Sequence, residues 1–429
     1  MTALVVAHGH PTFNKGGAEI AAYRLFSAIR SREGWGQSAF LAACPVDSML
    51  KPGCQVMALA PNEWLIKCST DSLLHDTAVN LTSGVHGFLF QALSDLNPTV
   101  IHFHHYVHIG MDLLHALKRW FPKAKVILTL HEYWGMCPLE GRLLKSTGQF
   151  CDGPQPDSCF QCLGNKDRIK LAVRRLRVKH FFSEVDHLIS PSLFLKQRYV
   201  DWGIQPSLIS VLENLPLPKG GEPHEGNKFA LELSHENSPV TFAYFGQFNY
   251  WKGIDIILEA FMFVLNKYPD ANLELHGVSS EMLQSPENFH DPRLAKRCSD
   301  LIQKMPRRSV HLMNVYEPEE LTSRMKSVDV VLMASRWYEN APMVIQEAFI
   351  NGVMVVAPGY GGMAEKIEHK LNGLLYQNGD VSGLHQCIVW IMQNKDQLEQ
   401  MKLYSFNSRL HFEDILASHL SLYHEITQS

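Results

Sequence analysis

Two carboxylates, Glu339 and Glu347, are separated by seven residues in the stretch 334–347, ASRWYENAPMVIQE. An apolar run at 330–333 leads into it, and a buried parallel strand is expected there. After a short polar turn, residues 342–351 read as a helix, with Pro342 suited to its first turn. Glu339 then sits at the carboxyl end of a strand, and Glu347 about a turn and a half into the helix. Open α/β sheets bind ligands at that edge, and the free N–H groups of a helix start favour an anion. Carboxylates for hydroxyls beside amides for phosphate point to a sugar nucleotide. A solvated acidic turn followed by an ordinary helix glutamate is the plainer alternative.

Further candidates fall where strands meet helices. Residues 3–7 form an apolar run and a helix is expected from about 18 to 30, so Gly16 and Gly17 lie in the loop between them. Missing side chains there let a backbone approach a diphosphate; a simple turn has the same composition. His131 closes the β-rich run VILTLHEY. A neutral imidazole there can hydrogen-bond a sugar hydroxyl or a developing charge, or serve as a structural group. His102, His104 and His105 mix the faces of a strand end with no carboxylate among them, which argues against a metal set. In the second half, GQFNYWKG repeats the order of strand, glycine loop and helix, with Lys252 placed to meet a phosphate.

Residues 134–165 interrupt this rhythm and hold Cys137, Cys151, Cys159 and Cys162. Cys159 and Cys162 form a CxxC pair, and the other two thiols would complete a tetrahedral structural zinc site. A loop with incidental thiols is the alternative. Residues 166–182, KDRIKLAVRRLRVKHFF, carry seven Lys or Arg against one Asp, with Ile169, Val173, Leu176 and His180 along one helical face. Such a helix can lie on an anionic membrane surface, or pack by one face and remain solvated.

A larger frame must position these groups. A length of 429 residues suggests two domains, each with its own core. A hydrophobic content of 46% with 19% charge describes a globular chain, and a net charge of −4 argues against bulk binding to nucleic acid. No apolar run reaches the roughly 18 residues of a membrane span. The opening MTALVVAHGHP lacks a basic n-region, so a first strand is expected rather than a signal peptide, and the nine cysteines are expected reduced in a cytoplasmic setting. Strand-like runs at 39–42, 100–103, 126–130 and 187–190, then at 240–245, 273–276, 310–313, 330–333 and 353–357, alternate with helical stretches. That alternation implies parallel, doubly wound sheets. The Pro-, Gly-, Glu- and His-rich segment 216–239 reads as a linker between domains 1–215 and 240–405, and 406–429 as a closing helix able to cross back to the first domain.

Taken in order, NKGGAE, LTLHEYW, FGQFNYWKG, ENAPMVIQEAF and GGMAE resemble the retaining nucleotide-sugar glycosyltransferases of family four. That family has the α/β GT-B architecture of two facing Rossmann-like domains with parallel sheets. The likeness spans nearly the whole chain and is most specific in the paired-glutamate segment. It implies that Gly16 and Gly17 cradle the diphosphate, His131 contacts the donor sugar and Lys252 neutralises the phosphate leaving group. Glu339 would face the donor sugar, Glu347 would hold the ribose hydroxyls, and the backbone of Asn340, Ala341, Pro342 and Met343 would meet sugar and phosphate. Gln247, directly after Gly246, stands where the family usually carries Arg, so more of the load falls on Lys252 and the helix dipole, with Arg336 a candidate substitute.

The implied reaction moves a hexosyl unit from a UDP- or GDP-sugar with retained anomeric configuration and requires no cofactor or divalent metal. The implied acceptor is a glycan, polyprenyl-linked and met at the inner face of the plasma membrane through 166–182, in the synthesis of lipopolysaccharide or another surface polysaccharide. Sugar-nucleotide epimerases and glycogen-type phosphorylases share the architecture. A degenerate binding or scaffold subunit is the non-catalytic alternative, and Gln247 favours it.

Overall fold

The computed structural model describes residues 1–44, 50–51, 53–67, 85–164, 167–217, 239–284, 291–377 and 379–428. Most of the expected linker, 218–238, lies outside these residues, as do Asn165 and Lys166. The chain forms two units: Met1–Leu215 with Glu413–Ser429, and Pro216–Phe412.

The first unit is built on β1 (Ala3–Ala7), β2 (Ala39–Cys44), β3 (Val56–Ala60), β4 (Glu63–Lys67), β5 (Val100–Phe103), β6 (Lys125–Thr129), β7 (His187–Ser190) and β8 (Ile209–Val211). Their order across the sheet is β3-β4-β2-β1-β5-β6-β7-β8. β1 pairs in parallel with β2 (Leu4 opposite Ala39) and with β5 (Ala3 opposite Val100). Both faces of β1 and β2 are buried, which is why each reads as an unbroken run of small and apolar residues. β3 and β4, unmarked by any such run, add an edge, and β3 runs antiparallel to β4 with an irregularity between Ala58 and Ala60. An exposed edge strand needs no continuous apolar signature.

The second unit contains β9 (Thr241–Phe245), β10 (Asn272–His276), β11 (Val310–Leu312), β12 (Val330–Leu332), β13 (Met354–Pro358) and β14 (Gly373–Tyr376), ordered β11-β10-β9-β12-β13-β14 and parallel throughout. The helix Ile254–Leu265 buries Ile254, Ile257, Leu258, Phe261 and Val264 in one core with Phe242, Leu273 and Leu332. Each side chain of this size contributes about 1.5–3 kcal/mol on burial. In each unit the strand order runs outward in both directions from the opening strand, with β2 and β5 on either side of β1 and β10 and β12 on either side of β9. The carboxyl edges of β1 and β9 are therefore topological switch points, where a doubly wound sheet opens a crevice.

The closing helix, Phe412–Gln428, is mostly a member of the first unit. Tyr423 is fully buried, its ring 5.8 Å from that of Trp35 and its hydroxyl 2.5 Å from His102 Nδ1 in β5. His102 Nε2 meets the Thr129 hydroxyl at 2.7 Å, and His419 Nε2 donates to Glu213 O at 3.1 Å. Tyr423→Phe leaves a buried imidazole nitrogen without its partner and is expected to lower stability by about 1–3 kcal/mol. Denaturant unfolding of the full chain measures this; an unchanged midpoint would show that the helix docks by packing alone.

Candidate functional site

In the second unit the site grows from the loop after β9. Tyr250–Lys252 form a 3-10 turn capped by Asn249, whose Oδ1 accepts the Lys252 N–H at 3.1 Å, and Gly253 opens the next helix at φ +68°. A Cβ on Gly253 would lie 1.9 Å from the carbonyl oxygen of Ala334. Only the absent side chain lets this turn close on the segment after β12. The closure sets Lys252 Nζ 2.6 Å from Glu339 Oε1, which also accepts from the Ser335 hydroxyl at 2.8 Å and Trp337 Nε1 at 3.0 Å. Burial works against the charge of Glu339, but Lys252, and then Ser335 and Trp337, outweigh it and hold the carboxyl below its usual range.

The glycine loop after β13 clamps the same segment from the other side. Cβ atoms on Gly361 and Gly362 would lie 2.8 Å from Glu339 O and 1.5 Å from Asn340 O, and Gly362 N donates to Glu339 O at 2.6 Å. The helix that follows Glu339 spans Met343–Ile350, with Pro342 as its N-cap and no side-chain cap. Asn340 and Pro342 are buried, whereas Ala341 and Met343 are half-buried. Glu347 is buried near Tyr316, whose hydroxyl is pushed up by burial and then by the charge of Glu347. Gly246 ends β9 with its N–H on His276 O at 3.2 Å; Gln247 is exposed and its carbonyl accepts from Tyr244 OH at 2.7 Å.

Arg336 takes a different part from the one expected of it. Its two terminal nitrogens each donate to the Asp255 carboxylate at 2.8 Å, Nη1 also reaches Tyr250 O at 2.8 Å, and the guanidinium lies 4.2 Å from the centre of the Tyr250 ring. A bidentate pair with a carboxylate only 4% exposed holds it in place. Arg336 thus staples the Lys252 turn to the helix below.

In the first unit the candidates gather beyond β1, β5 and β6. A Cβ on Gly16 would lie 2.3 Å from Glu19 Oε2, whereas one on Gly17 would meet nothing within 4 Å. Gly16 is therefore crowded by the Glu19 side chain, whereas open space lies over Gly17. Glu19 is buried and pairs with His8 Nε2 at 3.1 Å. Burial opposes both charges, yet the pairing wins, holding His8 above and Glu19 below their ordinary values. This negative charge sits beside the loop expected to meet a diphosphate. His131 Nε2 lies 2.9 Å from His104 Nδ1, and burial, followed by the charges of His105 and His8, lowers His131 to about 3, so it is the neutral imidazole expected. His105 Nε2 meets Glu132 Oε1 at 2.6 Å.

Cys137, Cys151, Cys159 and Cys162 are free thiols. They lie close enough that Cys159 is pushed up to about 11 by burial and then by the other three. Cys162 Sγ accepts the Ser146 N–H at 3.2 Å and Cys151 Sγ donates to Gly153 O at 3.3 Å. Among the described residues no three His, Cys, Asp or Glu form a metal-holding group as placed. The basic helix spans Arg168–Ser183 and buries Arg174, Val178, Phe181 and Phe182. The buried Arg174 guanidinium donates to the carbonyls of Trp134 and Gly135, which removes it from the exposed cations counted in the sequence.

The structure adds Ser335, Trp337 and Asp255 in the second unit, and His8, Glu19 and Glu132 in the first. Glu19 and Glu132 stood in the quoted motifs, and a charge directly after a β-rich run was the signal for Glu132. Gly253→Ala is expected to cost at least the roughly 1–3 kcal/mol of a strained left-handed residue, with a backbone clash added, and to draw Lys252 away from Glu339. Denaturant unfolding and a crystal structure of the variant measure the two effects; wild-type stability would refute the close approach.

Residues 228–407 match the family model described as glycosyl transferases group 1, and residues 66–215 match that of glycosyltransferase family 4. An uncharacterized glycosyltransferase of Haemophilus influenzae is 27% identical over 48% of this chain and 51% of its own length. An uncharacterized protein of the cps region of Klebsiella pneumoniae is 24% identical over 51% of this chain and 54% of its own. The chain thus spans about half the length of these curated relatives. Sucrose-phosphate synthase from Thermosynechococcus elongatus has a similar fold, with a TM-score of 0.69 at 18% identity over 99% of this chain and 98% of that one. Anabaena HepE in complex with UDP gives 0.64 at 16% identity over 99% and 100%. At such identities the likeness shows the fold, α/β with two parallel sheets in the GT-B class. With a model of this family matching each half, the chain belongs to the group 1 glycosyltransferases of family 4 type.

Proposed function

We propose that the protein is a retaining transferase that moves a hexosyl unit from a UDP- or GDP-sugar to a lipid-linked glycan acceptor. The observation that carries this reading is the Lys252–Glu339 pair at the β9/β12 switch point, beside an uncapped helix start and the buried Glu347. When the anomeric C–O bond breaks, negative charge grows on the departing diphosphate. Lys252 is the cation placed to meet it, aided by the helix N-terminus. Glu339 holds the lysine in place and faces the sugar, Glu347 takes the ribose hydroxyls, and neutral His131 contacts a sugar hydroxyl. Orientation and charge stabilisation supply the catalysis, and the reading calls for no cofactor. HepE was crystallised with UDP, which supports a UDP-sugar, and the cps region of the Klebsiella relative supports a role in surface polysaccharide synthesis.

The exposed Gln247, with Arg336 committed to Asp255, favours a second reading, a subunit that binds nucleotide without turnover. A panel of UDP- and GDP-sugars with alkyl- and polyprenyl-linked glycans, read by mass spectrometry, separates the two. The wild type is expected to transfer, and Lys252→Ala to lose about 10²–10³ in kcat, while Glu347→Ala mainly raises the donor KM. Calorimetric UDP or GDP binding with no product from any pair would select the binding subunit.

Membrane attachment is part of the same proposal. Ile169 and Leu176 are 73% and 70% exposed on the basic helix, and Arg168, Lys170, Arg175, Arg177 and Lys179 are exposed around them. Among the described residues no helix is long and apolar enough to cross a membrane. A cationic helix with an uncovered apolar face suits the surface of an anionic leaflet, each Lys or Arg contributing about 1 kcal/mol. On this reading the protein works at the cytoplasmic face of the plasma membrane. The wild type should float with anionic liposomes at low salt, and a variant with Lys170, Arg175 and Arg177 changed to Glu should stay behind. Equal flotation of the two would return the helix to a solvated surface.

A further inference from the structure

Between His131 and the basic helix the chain makes a detour that lacks a core of its own. From 145 to 164 none of the described side chains is buried. Two small elements nevertheless form there. The first is a hairpin: Leu144 bridges Phe150 in antiparallel fashion, Lys145 N donates to Gln149 O at 2.8 Å, and Cys151 N donates to Leu143 O at 2.8 Å. The second is the seven-residue helix Pro156–Cys162. An isolated hairpin and a helix of two turns are each marginal in water. Small units of this kind are usually stapled by disulfides or by a metal, and the four cysteines here are free thiols.

Those thiols sit where a staple is needed. Cys137 precedes the hairpin, Cys151 follows its second arm, and Cys159 and Cys162 lie on the helix. Ser146 N, in the hairpin turn, donates to Cys162 Sγ at the helix end at 3.2 Å. Burial pushes both Cys137 and Cys159 up, but backbone hydrogen bonds from Leu143 and Leu139 favour the Cys137 thiolate, and one from Gln155 does the same at Cys159. Three of the four sulfurs thus receive backbone donors, the kind of outer support that orients metal-bound ligands.

We propose that Cys137, Cys151, Cys159 and Cys162 bind one structural zinc ion that ties the hairpin to the helix. Among the described residues no three form a metal-holding group as placed, so the ion draws the sulfurs closer than they stand. Each thiol releases its proton to water and its sulfur donates an electron pair to Zn²⁺, so four S–H bonds give way to four Zn–S bonds. Soft thiolates select zinc over magnesium or calcium. The completed site carries two negative charges, and two guanidiniums stand within electrostatic reach of it. Burial lowers Arg174, and Tyr106, Cys137, Tyr199 and Cys159 oppose that fall; at Arg142, Cys137 opposes burial. The ion is structural and takes no part in sugar transfer. By fixing 137–162 it holds the segment that joins His131 to the basic helix.

The test starts with the full chain purified without chelator, its metals measured by plasma mass spectrometry beside Cys159→Ser, Cys162→Ser and the control Cys54→Ser in the same unit. Wild type and Cys54→Ser should carry about one zinc per chain, and the other two variants should lose it. Stripped wild type titrated with Co²⁺ should develop the visible absorption of a tetrahedral thiolate complex, a readout that depends on no variant folding. Stripping should also lower the thermal unfolding midpoint and let trypsin cut after Lys145, where the zinc form resists. Zinc well below one equivalent, iron in its place, or a disulfide among the four cysteines overturns the proposal. So does a Cys159→Ser protein that keeps its zinc, or a wild type whose cleavage at Lys145 is the same with and without the ion.

Discussion

The second unit depends on how closely three glycines let backbones approach around one ion pair. Lys252 and Glu339 are 87 positions apart, and their 2.6 Å contact exists because Gly253 presses on Ala334 while Gly361 and Gly362 press on Glu339 and Asn340. A buried carboxylate is costly unless its oxygens are hydrogen-bonded. Glu339 meets that requirement with three donors on one oxygen, two of them from its own loop. The protein's own donors hold that carboxylate in one orientation. Preorganised charge of this kind does not have to be rearranged as the reaction proceeds.

The first unit treats charge differently. Its strand ends collect histidines, and burial keeps most of them neutral, so His102, His104, His105 and His131 act as hydrogen-bonding groups. Among them His8 is held above its ordinary value by its pairing with Glu19. Burial likewise pushes the neighbouring Glu132 carboxyl up to about 7. The closing helix belongs to the same polar network, because Tyr423 reaches His102 deep in the sheet.

Cations that look alike in sequence divide by burial. Arg174 and its neighbour Arg175 lie on one helix, yet the first braces the loop carrying Glu132 and the second faces solvent. Arg336 looked like a free cation beside the expected phosphate site and is instead a bracket between a turn and a helix. In each case a guanidinium aligned with fixed acceptors is worth more than one left mobile in water.

By itself the sequence determined the alternation of strands and helices, the placing of His131, Lys252, Glu339 and Glu347 at strand ends or along a helix, and the family. Strands buried on both faces must be apolar throughout, so β1, β2, β9 and β12 were legible as runs. β3, β4, β8 and β14 lie at or beside a sheet edge and left no such run. Tertiary structure alone decided which charges pair. The Arg336–Asp255 and Lys252–Glu339 contacts span 81 and 87 positions and exist only because β9 and β12 became neighbours in the sheet. The same holds for the thiols, gathered near one another without three of them forming a metal-holding group, and for the face of the basic helix that turned inward. Local periodicity is written along the chain, whereas partner choice is set by the order of strands, which no single stretch encodes.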